Sequence, residues 1–157
     1  MVVLVMLQTV VVSRLPLLNG TADLVLLVLI AWAIQEKVTT TWQWTLIGGI
    51  LVSLVSAMPF FSPLAAYIGA VGFTRLMQRR IWQTPILAMF VATVFGTLFQ
   101  HILYIVVLMI NGTALPIRES LTLVTLPSIL LNLILSIPVY ALVSDIAGWV
   151  YPAEVQV

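Results

Sequence analysis

The sequence predicts an all-α fold, an integral membrane bundle of six transmembrane helices forming a single transmembrane domain over residues 1–157. Three observations predict it. The chain is 62% hydrophobic and 7% charged, against roughly 45–50% and 25% in ordinary soluble domains, so too few charges exist to build a water-facing surface. Its apolar residues form long runs separated by short polar, Pro and Gly clusters. Trp32, Trp42, Trp44 and Trp82 lie near those breaks, where indole rings suit the headgroup level.

A spanning helix needs about 20 apolar residues, with roughly 17 as a minimum. Cutting the chain at its breaks predicts helices over about 2–18, 22–35, 42–58, 62–77, 84–110 and 120–151. The second and fourth are short, which implies local thinning or shielding by neighbours. The last is long and holds Pro127 and Pro138, each of which removes a backbone donor and favours a kink or a division into two pieces. The first run, Met1 to Ser13, has no Lys or Arg before it. It therefore lacks the charged start of a secretory signal and is expected to be a retained first helix.

Orientation follows from the basic residues. Lys37, Arg75, Arg79 and Arg80 fall on one side of a six-span arrangement and Arg14 and Arg118 on the other, which makes the first side cytoplasmic and puts both termini there. Arg75, Arg79 and Arg80 are read as topology anchors, with anionic-lipid contact as the sharper alternative. Asn19-Gly20-Thr21 and Asn111-Gly112-Thr113 match a glycosylation acceptor pattern, but Asn-Gly is first of all a turn signal, and turns are expected.

Composition also excludes functions. A net charge of +1 offers no field for nucleic acid. The absence of cysteine removes disulfides, thiolate metal sites and thiol nucleophiles. With one His and no carboxylate pair within one helical turn, no catalytic residue, cofactor site or metal site is predicted, and the protein is read as a non-enzyme. Gln100 and His101, in the middle of the fifth segment, are the intramembrane polar candidates. They either mark function or bond across helices. Asp23 opens the second segment and is expected to cap it. Asp145 is expected to pair with a basic loop residue such as Arg79 or to reach water. Ala88, Ala92 and Gly96, and likewise Gly49 and Ser53, are spaced for close helix packing. Ser128, Asn132, Ser136, Tyr140 and Ser144 form a polar stripe at the same spacing, read either as a seam inside the bundle or as a surface for another membrane protein.

Leu7-Gln8-Thr9, Arg14-Leu15-Pro16, the step Gly20, Asp23, Leu24 and the segment ending Ala31-Trp32-Ala33 occur in an order that, with Gly48-Gly49, Ser56 to Pro59 and the stretch Gly69 to Arg80, resembles the bacterial rod shape-determining membrane protein family MreD. The resemblance covers about residues 7–80. Ala22, Ser53 and Phe61 stand where many members carry Pro, an acidic residue and Gly. It implies a non-enzymatic scaffold or regulator in the bacterial cytoplasmic (inner) membrane. The implied partners are an MreC-like bitopic protein, the cell-wall glycosyltransferase and transpeptidase of elongation, and indirectly the MreB filament. The family also resembles the six-helix vitamin-binding components of energy-coupling transporters, so a substrate-binding subunit is the alternative expectation, with Gln100, His101, Asn132 and Tyr140 as its pocket groups.

Overall fold

A computed structural model describes residues 1–10, 20–78, 84–113 and 116–152. The regular elements among them are helices: α1 Val2–Val10, α2 Leu24–Ile34, α3 Thr41–Val55, α4 Phe61–Gln78, α5 Pro85–Ile110 and α6 Ile117–Val150. Each of the six apolar segments is thus helical, the first being described as far as Val10. Two helices, α5 and α6, are long and apolar enough to cross a membrane.

The short helices are α2 and α3, at 11 and 15 residues, whereas α4 reaches 18. The expectation of a short fourth segment is therefore corrected to a short third one. Helix α3 stops at Val55 because the Ser56 hydroxyl accepts the Met58 N–H at 3.1 Å, turning the chain just before Pro59. Helix α2 is the centre of the molecule. It is apolar all round, and Val25, Leu26, Leu27, Leu29 and Ile30 are fully buried, as expected of a helix enclosed on every side. Helices α1, α3, α4, α5 and α6 all pack on it. At 1.5 Å per residue α2 is roughly 16 Å long, about half a hydrocarbon core, so its neighbours form the walls on either side of it.

Small residues set the spacing of this packing. A Cβ on Gly49 would lie 2.6 Å from Leu64 Cδ1, and one on Gly96 3.0 Å from Ile30 Cδ1 and 3.3 Å from Ala70 Cβ. Gly69 makes the notch for Phe99, which extends the stack of Phe73 on Phe95 between α4 and α5. Ala88 and Ala92 are 2% and 1% exposed in the same core. Gly49, Ala88, Ala92 and Gly96 thus pack inside their own chain, and Ser53 of α3 is buried as well.

Helix α6 is continuous rather than divided. It begins with one α-helical turn, Ile117–Glu119, widens into a π-helical segment, Ser120–Thr125, and returns to α-helix from Leu126 to Val150. The π segment lies immediately before Pro127, which has no N–H and whose ring crowds the carbonyl four residues earlier. A wider turn there, closed by Leu126 N–H to Leu121 O, relieves both problems. Pro138 is accommodated inside the helix. Helix α5 ends in a Schellman-type turn, with Gly112 at φ 82 and the Thr113 N–H on Leu108 O at 3.0 Å.

One end of the bundle gathers the α2–α3 loop and the C-termini of α4 and α6. The Arg75 guanidinium donates to the Val38 carbonyl and the Thr41 hydroxyl. Thr40 and Tyr151 hydroxyls bond at 3.2 Å, and the Trp32 and Tyr151 rings lie 6.4 Å apart. Lys37 and Arg75 share this end, and Arg118, at the start of α6, belongs to the opposite one. Arg75 is therefore a brace between helices as well as a charge. Arg14, Arg79, Arg80 and Trp82 lie outside the described residues; Trp42 and Trp44 are exposed.

Candidate functional site

The chain reaches α2 as an extended segment, residues 20–23, pressed into the bundle. Gly20 is required here, since a Cβ would lie 2.6 Å from Pro127 Cβ and 2.7 Å from the Ser128 backbone nitrogen. An extended backbone and a helix start both present N–H groups with no partner in their own segment. Side chains satisfy them one by one. Thr21 N–H donates to Ser128 Oγ at 3.0 Å, Asp23 N–H to Asn132 Oδ1 at 2.8 Å, Val25 N–H to Gln8 Oε1 at 3.1 Å, and Leu26 N–H to Asp23 Oδ1 at 2.9 Å. The last bond is the N-cap of α2. Because a backbone N–H only donates, these contacts also fix which way the Gln8 and Asn132 amides face.

Asp23 is the hub of this network. Its Oδ2 accepts from the Tyr67 hydroxyl and from Gln100 Nε2, each at 2.8 Å, while Oδ1 holds the cap. All its side-chain contacts come from donors, so the carboxylate acts purely as an acceptor. Gln100 also donates to the Tyr104 hydroxyl at 3.2 Å, and Asn132 Nδ2 donates to Thr97 Oγ1 at 2.9 Å. Asp23, Tyr67, Thr97, Gln100 and Asn132 are all buried. One connected network therefore ties α1, α2, α4, α5 and α6 together at one level. Gln100 lies 15 residues from the start of α5 and 10 from its end, or about 22 Å and 15 Å along the axis. The network sits deep within the bundle rather than at a rim.

His101 stands beside this network, outside it. Its Nδ1 bonds Thr125 Oγ1 at 3.0 Å, and Thr125 closes onto Ser120 O within the π segment at 3.3 Å. A cavity of about 340 Å³ opens between the two, with Gln8, Asp23, Ser56, Gln100, His101 and Tyr104 in its wall. A second cavity of about 340 Å³ lies at the opposite end of the bundle, with Glu36, Lys37, Tyr140 and Ser144 around it. The four pocket groups expected together are thus divided: Gln100, His101 and Asn132 line the first cavity and Tyr140 the second. Asp145 is exposed, and its expected partner Arg79 lies outside the described residues.

The polar stripe of α6 points inward: Ser128 and Ser136 are fully buried and Asn132 is 1% exposed. These three form a seam inside the bundle, whereas Tyr140 and Ser144 are half-buried. Ser136 bonds Leu133 O at 2.6 Å, while the buried Ser53 hydroxyl has no partner among the described residues. Sequence reasoning quoted Gln8 without giving it a contact and missed Tyr67, Thr97, Tyr104 and Thr125. Gln100 and Tyr104 share the four-residue spacing that drew attention to the α6 stripe, and so do Thr93 and Thr97. That periodicity was the available signal. Among the described residues there is no group of three His, Cys, Asp or Glu side chains able to hold a metal ion. No family model, curated protein or solved structure matches the chain.

Proposed function

We propose that this chain is a multi-pass protein of the bacterial cytoplasmic membrane, crossing it six times with both termini inside, and that it works as a non-enzymatic scaffold or regulator of the rod complex. Its helices would contact an MreC-like bitopic protein and the glycosyltransferase and transpeptidase of cell-wall elongation. The observation that carries the reading is the fate of the residues behind the resemblance to the MreD family. Gln8 and Asp23 are separated in sequence, yet they join one network that ties five helices together, and Gly20 seats the segment leading into it against α6. A motif with that role defines a bundle. The six-span arrangement gains support from the grouping of Lys37 and Arg75 at one end with Arg118 at the other, in line with the excess of basic residues on the cytoplasmic side. The short helices fit a membrane because irregular backbone is tolerated there when buried in protein, as residues 20–23 are.

The fully described connections between helices, residues 35–40 and 56–60, are short, so contacts with partners are assigned to helix faces. The outward residues Leu130, Ile134 and Ile137 of α6 are 55–65% exposed, and this face is open to lipid or another helix. A second reading, the substrate-binding subunit of an energy-coupling transporter, is favoured by the polar cavity beside Asp23. Purification of the C-terminally tagged protein from its native host in mild detergent, followed by mass spectrometry, separates the two. Recovery of a bitopic partner with a cell-wall polymerase and transpeptidase supports the scaffold. Recovery of an ATPase pair and a coupling subunit overturns it in favour of transport.

A further inference from the structure

Among the described residues, the cavity beside Asp23 has a charge imbalance that the network around it does not correct. Among the described residues of its wall, Asp23 is the one acidic group, none is Lys or Arg, and His101 is the one base. The carboxylate is held by hydrogen bonds from Tyr67, Gln100 and Leu26, all of them neutral donors. They stabilise the negative charge, and none of the described residues in the wall sets a Lys or Arg beside it. At the depth given by the membrane reading, a buried carboxylate is costly and characteristically marks a functional site. The cavity wall also contains the π-helical segment of α6 through Val124, a geometry found mostly at functional positions. Tyr104 accepts from Gln100 and keeps its own hydroxyl proton free to donate. Val5, Val52 and Val55 add apolar surface to the lining.

We propose that this cavity binds a small organic cation, its ammonium group at the Asp23 carboxylate and its apolar body against the valines. Size selects an organic ligand over a bare ion. About 340 Å³ lies within the range of small-molecule pockets, which begins at roughly 300 Å³, and a single metal ion leaves most of it to be filled by something else. Charge selects the cation: an anion brought here would lie against the carboxylate, and a neutral ligand would leave it uncompensated. The inference depends on membrane insertion but not on the identity of the protein's partners, so its failure leaves the scaffold reading intact.

The test uses the full chain in lipid nanodiscs, with its thermal unfolding followed against benzylammonium, benzyl alcohol, benzoate and sodium chloride at matched ionic strength. Benzylammonium is expected to raise Tm saturably, and the other three are expected to leave it unchanged. Two variants locate the effect. Asp23→Asn removes the charge and is expected to weaken benzylammonium binding roughly tenfold or more, as loss of a charge-assisted hydrogen bond does. Because Asp23 also holds the fold together, Val55→Trp is the companion: Val55 is 60% exposed at the cavity wall, outside the network, and the indole fills the space. It is expected to abolish the shift while preserving the unliganded Tm. Equal stabilisation by benzyl alcohol, stabilisation by sodium alone, binding that survives Val55→Trp, or no shift with benzylammonium would each overturn the proposal.

Discussion

Replacing Asn132 with Leu tests the network at the point where its loss can be worked out. Asn132 is 1% exposed and holds two bonds, accepting from Asp23 N–H at 2.8 Å and donating to Thr97 Oγ1 at 2.9 Å. Leu has similar bulk and keeps the site filled, so a cavity contributes little to the change. The Asp23 N–H is left buried without an acceptor, at a cost of about 1–3 kcal/mol. The Thr97 hydroxyl can turn back to a carbonyl of its own helix, so its loss is limited to about 0.5–1.5 kcal/mol. Leu recovers part of the total through apolar contact, leaving a net destabilisation of about 2–3 kcal/mol. At 157 residues that corresponds to a fall in Tm of roughly 5–10 °C. Thermal unfolding in detergent, by circular dichroism or by scattering, reads it directly. Thr97→Val alone is expected to cost about 1 kcal/mol, and the double variant less than the sum, because both changes break one shared bond. An Asn132→Leu protein that melts with the wild type, or a double variant that is fully additive, refutes the role assigned to this residue.

Three further changes probe other parts of the structure. Gly20→Ala drives a Cβ to 2.7 Å from a backbone nitrogen of α6, so it should cost about 1–3 kcal/mol, and unchanged stability would mean that the extended segment does not run where it is described. Ala92→Asp puts a charge at a position 1% exposed and should sharply reduce inserted protein, at about 2.5–3.5 kcal/mol on insertion scales; normal yield and Tm would remove Ala92 from the core. The chain has no cysteine, so single cysteines report topology cleanly. Thr113→Cys should react with an impermeant maleimide on intact cells and Lys37→Cys after lysis alone, and the reverse pattern would invert the orientation.

Much of the architecture was legible because a membrane-like composition writes itself in long apolar runs. The helix limits fell near Gly, Pro and polar clusters, as at Asn111-Gly112 and at Pro85, which opens α5. Asp23 as a cap followed from its place ahead of an aliphatic run. Its other contacts were not legible, because Tyr67, Gln100 and Asn132 lie 44, 77 and 109 residues away, and the period of a helix specifies a face without specifying which helix meets it. The polar stripe of α6 shows the same limit. Its spacing identified Ser128, Asn132 and Ser136, and whether it faced inward or toward a partner depended on where α2 begins. The π segment also escaped, although Pro127 was its physical cause. The short third helix was hidden by apolar residues continuing to Met58, after the Ser56 side chain has already turned the chain.

The most direct measurement of the proposed function is the shape of the cell. Depleting this protein from its native host during exponential growth and imaging the cells over several generations should show rods losing their width control and becoming round, with rescue by the wild-type chain but not by Ala92→Asp. Cells that keep their dimensions through depletion, while losing the ability to take up a small organic molecule from the medium, would contradict the scaffold reading and make the cavity beside Asp23 the business of a transporter.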